Sequence, residues 1–499
     1  MNRYLILLFI GLGFYFHAIS DPTKNQEEFK TGSVIKVPED CKTIQQAIDT
    51  AQNGDTVLVA DGIYTGEGNR DIDFRGKAIV VRSENGYENC IIDCQGSEGD
   101  YHYGFFFRKE ESRNSVLEGF TIKNGWLIQT DCMEEDGSGG GILIYSSPTI
   151  RNNKIINNRA SFGAGIHSEG SPLIVENIIE SNEAARWGGG LSLNGKETVM
   201  GNIICENVAK DGGGGIFSRQ SGIYTTIVNN IIKSNRSFGN GGGISLDITN
   251  SFVITGNFIV DNEASVYGGG VYLSQTVGEN VFKIYNNTIV GNNAREGGGI
   301  YNHNIADTIT NCVFYLNSPQ DISNCNLTYC CIKDEVQGVG NIHEDPVFIT
   351  VNDILWINDS SSPCVNAGNP DTTGLFFTWK DILGNERIID NRIDIGANEL
   401  DKKAIPTIAN ESDIVSDVPL VYPVPANTKI SLRYVIPYTG EISITIYSSS
   451  GIQMASLIDS KINKGVYEES FDISSFSRGI YFLKFRFNNV EKIIKIPVE

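Results

Sequence analysis

The chain is poor in basic residues, histidine and long apolar runs. It has 39 Lys and Arg against 60 Asp and Glu, a formal net charge of −21 at pH 7. So acidic a chain is a poor partner for nucleic acid or an anionic membrane, and neither is expected. An acidic polysaccharide would be repelled too, unless a cation bridged the two. The 5 histidines are scattered, without the His and Cys pairing of a zinc site.

The strongest apolar run lies at the N-terminus. Arg3 precedes an apolar stretch over residues 4–16, and small residues stand at the cleavage-recognition positions before Asp21. The run is too short to cross a bilayer and is typical of a secretory signal peptide. Residues 1–20 are therefore predicted to be cleaved off between Ser20 and Asp21, and residues 21–33 to form an N-terminal tail. No membrane-spanning segment is predicted.

The chain has 10 cysteines at irregular spacing, and export would permit disulfides. Some cysteines, such as Cys205, fall at positions expected in the core. We predict one or two bridges near the end of the repeat region and buried thiols elsewhere. The candidates for bridging are Cys312, Cys325, Cys330, Cys331 and Cys364.

Glycine is abundant, at 54 of 499 residues. Between residues 139 and 317, a glycine run ends in an aliphatic residue about every 25 residues. These pairs are Gly141-Ile142, Gly165-Ile166, Gly190-Leu191, Gly215-Ile216, Gly243-Ile244, Gly270-Val271 and Gly299-Ile300. No Lys-Ser/Thr follows and no helix opens there, so the runs are not phosphate loops. They are interpreted as tight corners of the backbone.

A second motif, a pair of asparagines five residues apart, alternates with the glycine runs. The pairs are Asn153/Asn158, Asn177/Asn182, Asn202/Asn207, Asn230/Asn235, Asn257/Asn262 and Asn287/Asn292. Two motifs in step indicate one copied structural unit. The asparagines are predicted to form ladders of stacked amides at bends, which satisfy buried polar groups. The alternative is a row of ligand-binding amides.

Each unit carries β-branched residues at fixed places beside the asparagines. Ile150 and Ile155 in one unit recur as Ile174 and Ile179 in the next. Such residues favour strands, and no unit has the 3.6-residue periodicity that a helix needs. A unit this short cannot bury its apolar face alone, whereas stacked units can, at a spacing of about 4.8 Å. The predicted fold is therefore an all-β parallel solenoid.

Residues 34–400 resemble the right-handed parallel β-helix superfamily, which includes pectate-lyase-like proteins of the pectin lyase fold and many bacterial surface proteins. At the front, Thr43 and Gln46 make a capping box, and Ile44 and Ala47 share one apolar helical face. A short helix is predicted to close the open end of the core. The resemblance implies the fold but almost nothing about activity.

Three segments carry a further resemblance: Ser362–Gly368, Asp381–Arg387 and Asp394–Glu399. With them, residues 362–400 resemble the choice-of-anchor Q group of bacterial β-helix proteins, apart from Asn398, which departs from the usual ending. Their buried carboxylates and Arg387 are interpreted as capping the last coil. Residues 401–417 are polar and are interpreted as a linker. In residues 418–499, segments with period-2 alternation predict a small C-terminal β-sandwich.

Residues 418–499 also resemble the type A C-terminal sorting domain of the type IX secretion system. The residues that carry this resemblance are Tyr422, Pro423, Pro425, Gly451, Gly479 and Tyr481. The resemblance implies a contact with the type IX secretion machinery. It also implies that the protein is secreted or attached to the outer-membrane surface.

One corner of the repeating unit carries candidate ligand-binding residues. Phe162, Trp187 and Tyr267 each lie three residues before the last glycine of a run, and are predicted to stack in one column. Exposed rings suit the flat faces of sugars, and nearby cations could meet hydroxyls or carboxylates. The cations are Arg186, Lys210 and Arg295. Alternatively, the rings cover the corner glycines and touch no ligand.

An acidic insert interrupts the repeat between residues 126 and 138. Its carboxylates are Asp131, Glu134, Glu135 and Asp136. Such a cluster could take Ca²⁺ through oxygen ligands, although acidic loops are more often simply solvated. Nothing else in the sequence requires a cofactor.

Three functions are compatible with these patterns. The favoured one is adhesion-like, non-catalytic binding of an extracellular polysaccharide or cell-surface glycan. A polysaccharide lyase or glycoside hydrolase is the second, but such chemistry needs clustered carboxylates, and Asp211, Asp247 and Asp261 occupy different offsets in their units. A structural surface stalk is the third.

Overall fold

The structure is a computed structural model that forms two compact units, Met1–Asp401 and Lys402–Glu499. It describes residues 32–128, 137–274, 282–303, 308–351, 354–357, 361–373, 380–389, 392–400, 420–422, 429–436, 440–448, 452–463, 465–487 and 490–498. Several predicted features lie outside these residues. They are the signal peptide with Ser20 and Asp21, the linker, the acidic residues Asp131, Glu134, Glu135 and Asp136, and Pro423, Pro425 and Gly451 of the sorting motif.

The first unit is a parallel β-solenoid, as the repeats predict. Strands of the first sheet are Ile72–Asp73, Phe105–Phe107, Ile142–Ile144, Ile166–Ser168, Leu191–Leu193, Val271–Leu273, Ile300–Asn302 and Ile322–Ser323. Strands of the second sheet are Val34–Val37, Thr56–Val59, Val80–Ser83, Val116–Glu118, Thr149–Arg151, Leu173–Val175, Thr198–Met200, Phe282–Tyr285, Thr308–Thr310 and Asn326–Thr328. Two long strands, Ile216–Val228 and Ile244–Thr255, run through both sheets.

Two further parallel sheets complete each coil. Strands of the third sheet are Gly62–Tyr64, Cys90–Asp93, Thr121–Lys123, Lys154–Ile156, Ile178–Glu180, Ile203–Cys205, Ile231–Lys233, Phe258–Val260, Thr288–Val290, Val313–Tyr315 and Cys331–Ile332. Strands of the short fourth sheet are Trp126–Leu127, Arg159–Phe162, Glu183–Trp187, Val208–Ala209, Arg236–Ser237 and Glu263–Ala264. An antiparallel hairpin, Phe348–Val351 and Ile354–Ile357, follows the coils.

Alternate side chains of these strands fill the interior. Ile150 pairs with Ile174, and Ile155 pairs with Ile179, in exact coil-to-coil register. All four are completely buried. Burying one such side chain is worth about 1.5–3 kcal/mol, so the isoleucine columns form the predicted core.

The two asparagine ladders are confirmed. In the first, Asn202 Oδ1 accepts from the backbone N–H of Asn177 at 2.9 Å and from its side-chain amide at 3.0 Å. That amide also donates to the Ile150 carbonyl, 2.9 Å away in the preceding coil. The second ladder repeats the arrangement from Asn158 onward. Each amide therefore ties three successive coils together.

The predicted disulfides are wrong for the described cysteines. Cys312 and Cys330 instead occupy the next two positions of the first ladder, after its last asparagine, Asn287. Cys312 Sγ accepts from the Asn287 N–H at 3.4 Å, and Cys330 Sγ accepts from the Cys312 N–H at 3.4 Å. Among the described residues, no cysteine forms a disulfide, including Cys325, Cys331 and Cys364. The prediction rested on export, which permits disulfides, but the thiols occupy ladder and core positions.

A helix at Ile44–Thr50 packs on the N-terminal end of the core, as predicted. Thr43 caps it, because its hydroxyl accepts from the Gln46 N–H at 3.3 Å. The Gln46 side chain accepts from the Lys42 N–H at 3.1 Å, one residue earlier than in a standard capping box. Ile44 and Ala47 are buried.

Residues 380–389 and 392–400 lie along the flank of the solenoid instead of closing its end. The Ala397 N–H donates to Thr288 Oγ1 at 3.0 Å, and Ala397 packs on Phe258 of the third sheet. Buried Arg387 lies 3.6 Å from Glu399 and reaches Asn229 at 3.4 Å. The expected carboxylate and arginine contacts form, but they cover the outer face of that sheet.

The second unit has two antiparallel sheets around one core. Strands of one sheet are Leu420–Tyr422, Lys429–Ile436 and Gly465–Asp472. Strands of the other are Gln453–Ile462, Gly440–Ser448, Gly479–Phe487 and Val490–Val498. Ile430 and Leu432 of the three-stranded sheet pack with Ile444 and Phe485 of the four-stranded sheet. In the described parts of the chain, no helix is long and apolar enough to span a membrane.

Asn207 offers a test of the ladders. Replacing it by Ala would leave the Asn182 N–H and the Ile179 carbonyl buried without their partners at 3.0 and 2.8 Å. We expect Asn207→Ala to lower the free energy of unfolding by roughly 3 kcal/mol, measured by urea denaturation. Exposed Asn293 is the control, and its replacement by Ala should change stability by less than about 0.5 kcal/mol. Equal effects of both variants would contradict the ladder's role.

Candidate functional site

The turn from the fourth sheet to the first builds a column of outward-facing residues, called the corner column here. Its members are Phe162, Trp187, Gly212, Asn240, Tyr267 and Glu296. Each is followed by a glycine in the left-handed region, for example Gly188 at φ 70°. A Cβ at Gly188 would collide with the Leu191 carbonyl oxygen, so the glycine is what permits the turn. The predicted stacking of the corner residues is confirmed.

A second column runs beside it on the outer face of the first sheet, and is called the sheet column here. Its members are His167, Ser192, Phe217, Ser245, Tyr272 and Tyr301. They face outward because their neighbours on both sides in the strand point into the core. Each coil thus presents one corner residue and one sheet residue.

Three rings from the two columns form an aromatic cluster. The Trp187 ring lies 5.5 Å from Phe162 and 5.5 Å from Phe217, and is nearly parallel to the latter at 15°. Phe217 belongs to the next coil, where the corner residue is Gly212. A Cβ on Gly212 would lie 3.3 Å from the Trp187 ring, so a side chain at this corner would crowd that ring.

Two guanidinium groups lie over the cluster. Arg186 lies 4.2 Å from the centre of the Trp187 ring and Arg219 lies 5.7 Å from it. Arg186 is also 3.5 Å from the Asp211 carboxylate. Cations over the face of an indole are favourable, and these two place positive charge beside an apolar platform in an acidic protein.

The rings and Arg219 line a groove of about 280 Å³ together with polar side chains. The polar residues are His167, Glu169, Ser192 and Asn194. His167 is only 4% exposed, and its Nε2 lies 3.5 Å from Glu169. Its Nδ1 has no hydrogen-bond partner among the described residues. A buried polar atom in this state can bind a group that enters the groove.

The structure brings Phe162, Trp187 and Arg186 of the predicted ligand-binding residues into this one cluster. Tyr267 lies three coils further on and stacks on Tyr301 at 4.4 Å. Lys210 and Arg295 are exposed, and neither lies over an aromatic ring in the described part of the chain.

Sequence reasoning missed the sheet column. His167, Phe217 and Tyr301 each directly follow the aliphatic residue that ends a glycine run. Since that aliphatic residue points inward, strand alternation could have identified the next one as outward-facing.

The described residues contain no group of three or more His, Cys, Asp or Glu side chains that could hold a metal ion. The predicted calcium ligands lie in the insert, outside those residues.

Near the groove, the turn between the first and second sheets buries the carboxyl group of Glu197. It accepts from the Gly195 N–H at 2.6 Å and from the Thr225 hydroxyl at 3.2 Å. Burial nevertheless raises the pKa of Glu197 to about 7, because loss of water outweighs these bonds.

Comparison with known proteins concerns the second unit. Residues 420–499 match the family of secretion system C-terminal sorting domains. The protein thus carries a type IX secretion sorting domain and is exported to the cell surface by that system. Among curated proteins, none has a sequence that matches this chain.

Glu197 predicts a pH dependence of stability. Its pKa is about 7 in the folded state and 4.5 in the reference state, so the folded protein binds the extra proton between these values. Stability should fall as the pH rises through this window. We expect Glu197→Gln to lack this loss, so that its stability relative to wild type increases by about 3 kcal/mol between pH 4 and pH 8. Urea denaturation across this range measures it, and parallel curves for the two proteins would contradict the assignment.

Proposed function

We propose that this exported solenoid binds polysaccharide or cell-surface glycan through the groove around Trp187. The single observation that carries the proposal is the combination, in one groove, of stacked rings, the Arg219 guanidinium group and the buried His167, whose Nδ1 has no hydrogen-bond partner among the described residues. Flat rings suit the apolar faces of sugars, and the polar groups suit their hydroxyls.

The local chemistry differs from that of the whole chain. The net charge is −21, yet Arg219 lines the groove and Arg186 lies over the Trp187 ring. Their positive charge would let the groove accept a sugar that carries a carboxylate as well as a neutral one. Glu169 and Asn194 offer further hydrogen-bonding groups to hydroxyls.

The sorting domain supports a surface role. A protein carried out of the cell by type IX secretion meets extracellular polysaccharides and the glycans of neighbouring surfaces. Binding without catalysis is the function we favour. Cleavage of the bound polymer is the competing outcome, and the same experiment measures it.

The test uses the full exported chain on an array of cellulose, xylan, homogalacturonan, alginate and chitin, with and without Ca²⁺. We expect saturable binding to at least one polymer without release of reducing or unsaturated ends. Trp187→Ala should weaken that binding about five- to thirtyfold, because an aromatic platform contributes on the order of 1–2 kcal/mol.

Trp126→Ala is the matched control. Its ring also lies under a guanidinium group, that of Arg159 at 4.9 Å, but outside the groove. We expect this variant to bind as the wild type does. The proposal fails if wild type binds no polymer, or if the two tryptophan variants bind equally. Release of unsaturated ends would establish a lyase instead.

A further inference from the structure

A second aromatic cluster lies further along the same two columns. The rings of Tyr267, Tyr272 and Tyr301 are nearly parallel, within 13–22° of one another. Exposed His303 meets Tyr301 edge-on at 5.2 Å. Tyr267 and Tyr272 are half-buried, so parts of their rings reach solvent.

The second cluster repeats the construction of the first. Trp187 stacks on Phe217, which is the sheet residue of the next coil. Tyr267 likewise lies 4.4 Å from Tyr301, the sheet residue of the next coil, and 6.4 Å from Tyr272 of its own coil. Both clusters thus present a corner ring backed by a ring from the following coil.

Small and polar residues separate the two clusters. Between them the corner column has Gly212 and Asn240, and the sheet column has Ser245. A Cβ on Gly212 would lie 3.3 Å from the Trp187 ring and 3.4 Å from Ser245 Oγ, so even a methyl group would crowd the space. Asn240 Oδ1 is buried and has no hydrogen-bond partner among the described residues. The residues between the rings are therefore small or polar, and Gly212 and Ser245 among them are buried.

The separation of the clusters follows from the coil spacing. Trp187 and Tyr267 are three coils apart along the corner column. At about 4.8 Å per coil, their backbones are about 14 Å apart along the solenoid axis. One sugar ring cannot touch both clusters, whereas a chain of sugars lying along the axis can.

We propose that the two clusters are two ends of one linear site, and that the ligand is a polysaccharide chain running parallel to the solenoid axis. This inference rests on the proposed function and adds the class of ligand and its direction. Trp187 and Tyr267 stack on sugar rings at the two ends. The sugars between them pass over Asn240 and Ser245.

A linear site predicts that affinity depends on the length of the ligand. A short oligomer gains one aromatic contact, whereas an oligomer that spans both clusters gains the second contact within the same complex. The second contact then forms at a high effective concentration and multiplies the affinity. Affinity should therefore increase sharply once the oligomer spans both clusters.

The experiment measures Kd of the full chain for xylo-, cello-, chito- and galacturono-oligosaccharides, from the monosaccharide to the octasaccharide, by calorimetry. We expect the longest oligomers of one series to bind at least about tenfold more tightly than its trisaccharide. Tyr267→Ala should abolish this gain. Tyr272→Ala is a second variant with the same expectation, in case either substitution alone impairs folding, which urea denaturation would reveal.

Tyr87→Ala is the matched control. Tyr87 is also half-buried, but it lines a hollow at the turn between the second and third sheets, away from both columns. It should keep the full length dependence. The linear site is overturned if the affinity of wild type does not increase with oligomer length, or if both tyrosine variants keep that increase. Binding at Trp187 stands in either case. If no oligomer of any length binds, both proposals are overturned.

Discussion

The hydrogen-bonded register between successive coils is the constraint on which the rest of the structure depends. At each bend an asparagine oxygen accepts from both the backbone and the side chain of its counterpart one coil earlier. A ladder of this kind does not tolerate a slip of one residue, since every amide would lose its partners inside the core. The isoleucine columns can then pack in the interior, because each asparagine of the ladder holds the isoleucines of successive coils in the same register.

Register also explains how a surface site can arise from a repeat. A fixed offset in the sequence becomes a fixed position in space, so residues about 25 positions apart become neighbours at about 4.8 Å. Aromatic residues at two such offsets form the clusters around Trp187 and Tyr267. Where the corner carries glycine, as at Gly212, the sheet residue of the same coil, Phe217, stacks on the Trp187 ring of the preceding coil. The site is thus a local variation on a repeat whose interior does not change.

Much of this architecture could be predicted from the repeat itself. The ladders, the buried isoleucines, the corner column and the N-terminal helix all follow from periodicity or capping chemistry. The sheet column was missed because its residues differ from coil to coil, from His167 to Ser192 to Phe217. No residue type recurs at these positions, and only the alternation of side chains along a strand identifies them as outward-facing. The disulfide prediction failed because cysteine at a ladder position can act as a weak hydrogen-bond acceptor and does not require a sulfur partner.

The sequence by itself determined that the chain forms a parallel stack of coils, and which residues line its interior, because both depend on a short repeated pattern of burial and hydrogen bonding. Its C-terminal part likewise indicated export. Only the tertiary structure decided that Arg186 and Arg219 lie over the same ring, that His167 lines the same groove, and that residues 380–389 and 392–400 cover the third sheet. These contacts join residues from different coils or from outside the repeat. They depend on side-chain directions and on the path of a non-repeating segment, which periodicity does not specify.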